Sequence, residues 1–195
     1  MASCVEEWGD VEYSPSVKNS ESPTRWTRTD QEPPETSCVL FLGHFEHTID
    51  TKNRLAIPAE LRDVFDEEIH GTAFVAAPGA TGSLWLWPER TFADLASELG
   101  GSLLGDEDQI DFERVIFSQS ARCPIDSAGR IRLPDRLLTR YGLSGSVMVM
   151  GVRDHLEVIL PEDWRREQAS LPSERDVWRR ARQARAARSE TEGGR

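Results

Sequence analysis

One chemically pointed pattern, Ile-Asp-x-x-x-Arg, occurs twice in the sequence. Asp50-Thr51-Lys52-Asn53-Arg54 and Asp126-Ser127-Ala128-Gly129-Arg130 share the spacing Asp-x-x-x-Arg. An aspartate that opens a turn can accept backbone N–H bonds, and an arginine four residues on can reach back across a hairpin to pair with it. Taken alone, that pairing holds a loop and does nothing more. The same geometry also presents a stiffened guanidinium at a hairpin tip, where it can fork onto the major-groove edge of guanine. Each such contact is worth about 1–3 kcal/mol of base discrimination. Lys52 in the first tip and Arg132 just beyond the second can add phosphate contacts. The stretch Arg122–Arg140 holds five arginines against two aspartates, a local excess hidden by the total charge. The residues leave both roles open, loop scaffold or DNA contact.

The elements that position these motifs follow from an internal repeat. Ile49–Phe65 lies over Ile125–Tyr141 at an offset of 76 residues, so that Ile49, Asp50, Arg54, Pro58 and Leu61 fall on Ile125, Asp126, Arg130, Pro134 and Leu137. A second match follows, Ser83–Phe92 with Leu156–Trp164, and an apolar run precedes each, Thr72–Ala77 and Ser146–Gly151. Phe45–Ile49 reads as a strand, Asp50 opens a three-residue loop, and a strand resumes at Arg54 with Leu55 and Ile57 apolar. Asn53 and Gly129 hold the same place in the two loops. Both residue types tolerate the left-handed backbone that a three-residue hairpin loop with a bulge requires there. Pro58 and Pro134 suit a first helical position. Helices are expected from Pro58 to about Glu68 and from Pro134 to about Tyr141, with Gly142 as a stop. Strands near Thr72–Ala77, Ser83–Trp87, Ser146–Val152 and Leu156–Leu160 complete two ββαββ units. Such units expose apolar surface, so the two copies should pack on each other.

The expected fold class is therefore α+β and β-rich. Residues 1–38 read as a disordered N-terminal extension in which Trp8 and Trp26 are isolated. The first unit spans 39–91 and the second 120–164. Between them, 92–119 reads as a helical connector, broken at Gly100-Gly101 and carrying an apolar stripe at Phe112, Val115 and Ile116. Residues 165–195 form an Arg-rich helical tail, with Ser173 as N-cap of a helix to about Ser189. This tail reads as a solvated helix, with binding to a partner or to DNA as the alternative.

Composition narrows the function. The net charge is −11, from 23 basic and 34 acidic residues. Residues 1–38 contribute −5, residues 39–165 contribute −9, and residues 166–195 contribute +3. DNA contact must come from a local basic patch, and several subunits acting together would be needed for useful affinity. The cysteines, Cys4, Cys38 and Cys123, form no CxxC pair, so neither a disulfide framework nor a metal site is expected, and free thiols fit a reducing cytosol. No apolar run approaches the ~20 residues that span a bilayer, and the N-terminus has no secretory character. His44, His47, His70 and His155 show no metal-ligand spacing. Gly79–Gly82 reads as a turn rather than a phosphate cradle, and no nucleophile motif occurs. An enzyme, a cofactor and a small-molecule substrate are not expected.

The segment VLFLGHFEHTIDTKNRLAIPAELR, followed by RCPIDSAGRIRLPDRLL, resembles the MraZ family, a tandem-repeat branch of the AbrB-like swapped-hairpin superfamily. The resemblance covers roughly Leu40–Trp164. It implies a β-barrel of interleaved hairpin units within one chain, assembled into ring-like homo-oligomers. It implies a cytoplasmic, nucleoid-associated transcriptional regulator that binds G-rich promoter repeats in double-stranded DNA, upstream of the division and cell-wall gene cluster and of its own gene. On that resemblance Asp50, Lys52, Asn53 and Arg54 match the first DNA-facing motif, and Asp126 and Arg130 the second. Two departures stand out: the residues preceding Leu40 are extra, and Asn53 replaces the more usual glycine. The alternative is a protein-interaction module, an antitoxin-like or division-protein adaptor, against which two copies in one chain argue.

Overall fold

The computed structural model describes residues 39–80, 82–99 and 106–192. The N-terminal extension and the Gly100-Gly101 break lie outside these residues. Eight strands form one antiparallel sheet: β1 His44–Ile49, β2 Arg54–Ala56, β3 Ala73–Pro78, β4 Leu84–Pro88, β5 Ala121–Pro124, β6 Arg130–Arg132, β7 Gly145–Val152 and β8 His155–Ile159. Their order is β5-β3-β4-β8-β7-β1-β2-β6. The outer strands meet through a bridge between Ile125 and Ile131, which brings the two edges together and leaves the barrel nearly closed.

The pairing interleaves the two ends of the chain. Strand β1 pairs with β7, β2 with β6, β3 with β5 and β4 with β8. Hairpins from residues 44–88 therefore alternate around the sheet with hairpins from residues 121–159. Neither set could bury its apolar face alone. Leu55 from one and Ile131 from the other stand directly opposite in register, both fully buried. Around them pack Leu61, Phe74, Leu86, Leu137, Val149 and Leu156, all 1% exposed or less. Phe41, brought in by a backbone bridge to Arg153, adds an aromatic contact to Phe74 at 6.3 Å.

Seven helices are described: α1 Ala59–Arg62, α2 Glu67–His70, α3 Glu89–Glu98, α4 Glu107–Gln119, α5 Asp135–Tyr141, α6 Pro161–Ser170 and α7 Glu174–Glu192. The helix expected from Pro58 to about Glu68 is split in two. Asp66 caps a new helix by accepting from the N–H groups of Glu68 and Ile69 at 2.8 and 3.2 Å, while His70 Nδ1 accepts from the Asp66 N–H. A side chain that caps so well competes with continuation of the helix before it. Pro58 and Pro134 also sit one position earlier than expected. Both are extended N-cap residues, with ψ of 139° and 140°. Gly142 ends α5 in the left-handed conformation, as read. Ser173 accepts from the Asp176 N–H at the start of α7 and donates to its carboxylate, the reciprocal arrangement of a capped terminus. Helix α6 was not separated from the tail in the sequence. The stripe on α4 does form, but Phe112 and Val115 remain half-exposed. Cys123 is buried, and burial pushes its thiol up to about 11, so it packs as an inert apolar group.

Candidate nucleic-acid interface

The two Asp-x-x-x-Arg turns have the same bonding, atom for atom. In the first, Asp50 Oδ1 accepts from the N–H groups of Lys52 and Arg54 at 2.8 and 2.9 Å, and Asp50 Oδ2 accepts from Arg54 Nε and Nη2, both at 2.7 Å. In the second, Asp126 Oδ1 accepts from Ala128 and Arg130 N–H at 2.9 and 3.0 Å, and Oδ2 from Arg130 Nε and Nη2 at 2.9 and 2.8 Å. The loops close through Asn53 N–H to the Asp50 carbonyl and Gly129 N–H to the Asp126 carbonyl. Asn53 has φ of 60° and Gly129 of 72°, the left-handed backbone expected of both. Each aspartate thus devotes one oxygen to the turn and the other to the arginine. Each guanidinium spends its Nε side on the aspartate, and its Nη1–Nη2 end is left to meet an acceptor pair.

The arginine bonds hold the Asp50 carboxyl down to about 2, chiefly through the side-chain bond from Arg54, with backbone donors adding to it. Asp126 is lowered for the same reason by Arg130. A carboxylate whose pKa is depressed on folding stabilises the fold above its ordinary titration range, and that contribution is lost as pH falls through the folded value. The first turn should therefore persist at about pH 3 and open only as pH approaches about 2. Following the Asp50 side-chain carboxyl carbon by NMR checks this; titration at the ordinary 3.8 would mean that the Arg54 bonds are not made in solution.

Strands β2 and β6 join the turns into one surface. Arg54 stands opposite Arg132, Leu55 opposite Ile131, and Ala56 opposite Arg130. Opposed residues share a face, and the face alternates along a strand. With Leu55 and Ile131 turned into the core, Arg54, Arg130 and Arg132 all point outward. Arg54 and Arg130 sit about two strand residues apart along the ribbon, roughly 7 Å. Their side chains are 32% and 37% exposed, held but not buried. Arg132 and Lys52 are exposed. The left-handed residues tie the turns across the ribbon, because Leu133 N–H donates to the Asn53 carbonyl at 2.9 Å and Ile57 N–H to the Gly129 carbonyl at 3.0 Å. On turns and ribbon together, Lys52, Arg54, Arg130 and Arg132 outnumber Asp50 and Asp126, so the patch is cationic on an acidic body.

The surroundings of the two turns differ. Asn53 Nδ2 donates to Asp135 at the start of α5. Over Gly129 lies Arg62, the last residue of α1; a Cβ at Gly129 would meet Arg62 Nη1. The second tip carries Ala128 where the first carries Lys52, and Arg62 brings a cation to it from the other half of the chain. Sequence reasoning passed over Arg62, which belongs to no motif. Of the five arginines between Arg122 and Arg140, two are tied down away from the ribbon. Arg122 is engaged by Glu89 and Thr72, and Arg136 donates to the Gln119 and Ser120 carbonyls at the end of α4. Among the described residues no group of His, Cys, Asp and Glu is arranged to hold a metal ion, and no helix is long and apolar enough to cross a membrane.

Comparison with known proteins bears on the same residues. The family model for the MraZ protein, described further as antitoxin-like, matches residues 40–112 and again residues 116–184. Each match contains one Asp-x-x-x-Arg turn. The transcriptional regulator MraZ of Thermomicrobium roseum is 34% identical over 135 residues, which is 69% of this chain and 92% of the relative. Those of Roseiflexus sp. and Lactiplantibacillus plantarum are each 34% identical over 125 residues, 64% of this chain and 84% and 85% of theirs. With the double match spread over both turns and nearly the whole length of such relatives covered, this chain belongs to the MraZ family.

Proposed function

We propose that the chain is a sequence-specific DNA-binding transcriptional regulator and not an enzyme, and that its target is double-stranded DNA with G-rich promoter repeats ahead of a division and cell-wall gene cluster, its own gene included. The observation that carries this reading is the outward face of the β2–β6 ribbon, where Arg54, Arg130 and Arg132 stand in register beside two rigid turns. Arg54 and Arg130 read base edges through their free guanidinium ends; Lys52 and Arg132 hold phosphates; Asn53 and Gly129 set the turn, and Asp50 and Asp126 aim the arginines. The names of the relatives as transcriptional regulators support the reading. We also read the two halves, 39–91 and 120–164, as copies of one swapped-hairpin unit, supported by the alternation of their hairpins around the sheet. A patch this small on an acidic body calls for several copies on one duplex, a ring-like homo-oligomer in the cytoplasm at the nucleoid.

The test is binding of the purified chain to DNA from upstream of its own gene as salt is varied. Affinity should fall linearly on a logarithmic plot, with a slope of about 0.9 per phosphate neutralised. Deleting the G-rich repeats should leave the slope and remove the preference. The description of the family as antitoxin-like favours a second reading, a protein-interaction module, which predicts no repeat-dependent binding and a specific protein ligand instead.

A further inference from the structure

The two turns are bonded alike, but their surroundings leave them unequally charged. Around the first stand Lys52, Arg54 and, opposite Arg54 on β6, Arg132. Asp50 and Asp135 oppose them, so three cations meet two anions. The offset of 76 residues that aligns the turns puts Ala128 in the place of Lys52. It also puts Ala56, opposite Arg130, in the place of Arg132. By themselves, the second turn's residues supply only Arg130 and Asp126, already bonded to each other. A neutral pair of this kind has little to hold a phosphate backbone, whose attraction scales with the charges neutralised.

Arg62 changes that balance. It ends α1, in the other half of the chain, and its side chain lies along the bare Cα of Gly129: a Cβ there would stand 3.0 and 3.1 Å from Arg62 Cδ and Cζ. The glycine thus leaves open the space that the arginine occupies. Arg62 is exposed, and among the described residues no carboxylate or carbonyl takes up its guanidinium, although Glu60 and Asp63 flank it in the chain. Arg122 and Arg136, by contrast, are held by Glu89 and by the end of α4. A guanidinium with no protein partner keeps all its donors for a ligand. At the same offset Arg62 falls on Leu138, which is buried in the core, so only the half that meets the cation-poor turn carries an arginine here.

We propose that Arg62 is the phosphate contact of the second turn, taking beside Arg130 the part that Lys52 takes beside Arg54. The assignment rests on the DNA-binding reading above and deepens it: each turn is served by one arginine that discriminates and by a cation blind to sequence, and the second turn receives that cation from the opposite half of the chain. The division of labour follows from how each arginine is held. Arg130 is fixed by two bonds to Asp126, as reading a base edge requires. Arg62 has no such anchor, so its flexible side chain can follow a phosphate and grip it with two donors, but it does not set a register on a base.

Binding of the full chain to repeat-containing and repeat-deleted DNA at several salt concentrations tests it, with melting curves to confirm that each variant is folded. Arg62→Ala should weaken binding to both DNAs alike, roughly five- to tenfold per engaged copy at about 0.1 M salt. It should lower the salt slope by about 0.9 per copy and leave guanine preference intact. Arg62→Lys should keep the slope. Ala128→Lys placed beside Arg62→Ala should restore it, by giving the second tip the cation of the first. Arg166→Ala, on α6, removes an equal charge and should leave the slope as it is. An Arg62→Ala chain with the slope and affinity of wild type overturns the assignment while DNA recognition stands. So does a loss confined to repeat-containing DNA, which would make Arg62 a reader of bases, or a slope that Ala128→Lys fails to restore. A wild type that binds no duplex overturns the assignment together with the reading it rests on.

Discussion

Replacing Arg54 with alanine should cost the chain both affinity and guanine preference on its own upstream repeats. One bidentate arginine–guanine contact is worth about 1–3 kcal/mol, roughly a 5- to 150-fold change for a single copy, and the effect grows when several copies grip one duplex. The fold should survive, because Asp50 Oδ1 still accepts from the Lys52 and Arg54 N–H groups and the Leu55–Ile131 core is untouched. Arg54→Lys separates charge from shape. Lysine keeps a positive charge for phosphates but cannot fork, so the salt slope should hold while discrimination falls. Lys52→Ala should do the reverse, reducing the slope by about one contact with little change in preference. Gel shifts on repeat-containing and repeat-deleted DNA at several salt concentrations read all three. Equal binding and equal preference for wild type and Arg54→Ala would remove Arg54 from base recognition.

Gly129→Val should be the most damaging single change in the second turn. Its φ of 72° is one that a β-branched residue resists, and the new side chain would also push aside the Arg62 guanidinium. Backbone strain of this kind costs about 1–3 kcal/mol. Displacing Arg62 adds little, because its guanidinium is the far end of a flexible side chain, so melting should fall by roughly 2–12 °C for a chain of this size. The two causes can be separated. Gly129→Asn tolerates the backbone and retains only the crowding, and Arg62→Ala beside it should recover most of that loss. At the equivalent position Asn53→Gly should change stability by less than about 0.5 kcal/mol, since relief at φ of 60° is offset by loss of the bond to Asp135. Differential scanning calorimetry measures each; a Gly129→Val chain that melts with wild type would show that the turn does not depend on this geometry.

The turns were legible in the sequence because everything that defines them lies within five consecutive residues. Asp at the start, Asn or Gly at the left-handed position and Arg on the returning strand specify both the backbone and the ion pair locally. The 76-residue offset brought the two turn motifs into alignment, and apolar alternation gave the strands within a residue or two. Proline was less informative. Its ring fixes φ near −65°, a value common to helix and extended chain, so it could not tell a helix's first residue from its cap. Nor could propensity foresee that the Asp66 carboxylate would end one helix and begin another.

What tertiary structure alone decided was register. Arg132 faces Arg54 across 78 residues, and Asp135 reaches Asn53 across 82, because β2 pairs with β6 in one alignment and no other. A shift of one residue would turn Leu55 and Ile131 outward and the arginines into the core, so the buried pair fixes the charged face. Arg62 over Gly129, and Arg122 and Arg136 taken up by Glu89 and the end of α4, arise the same way. The sequence determined what each turn is, through bonds between neighbours in the chain. Which cations share its surface depended on packing between distant segments, which no local pattern encodes.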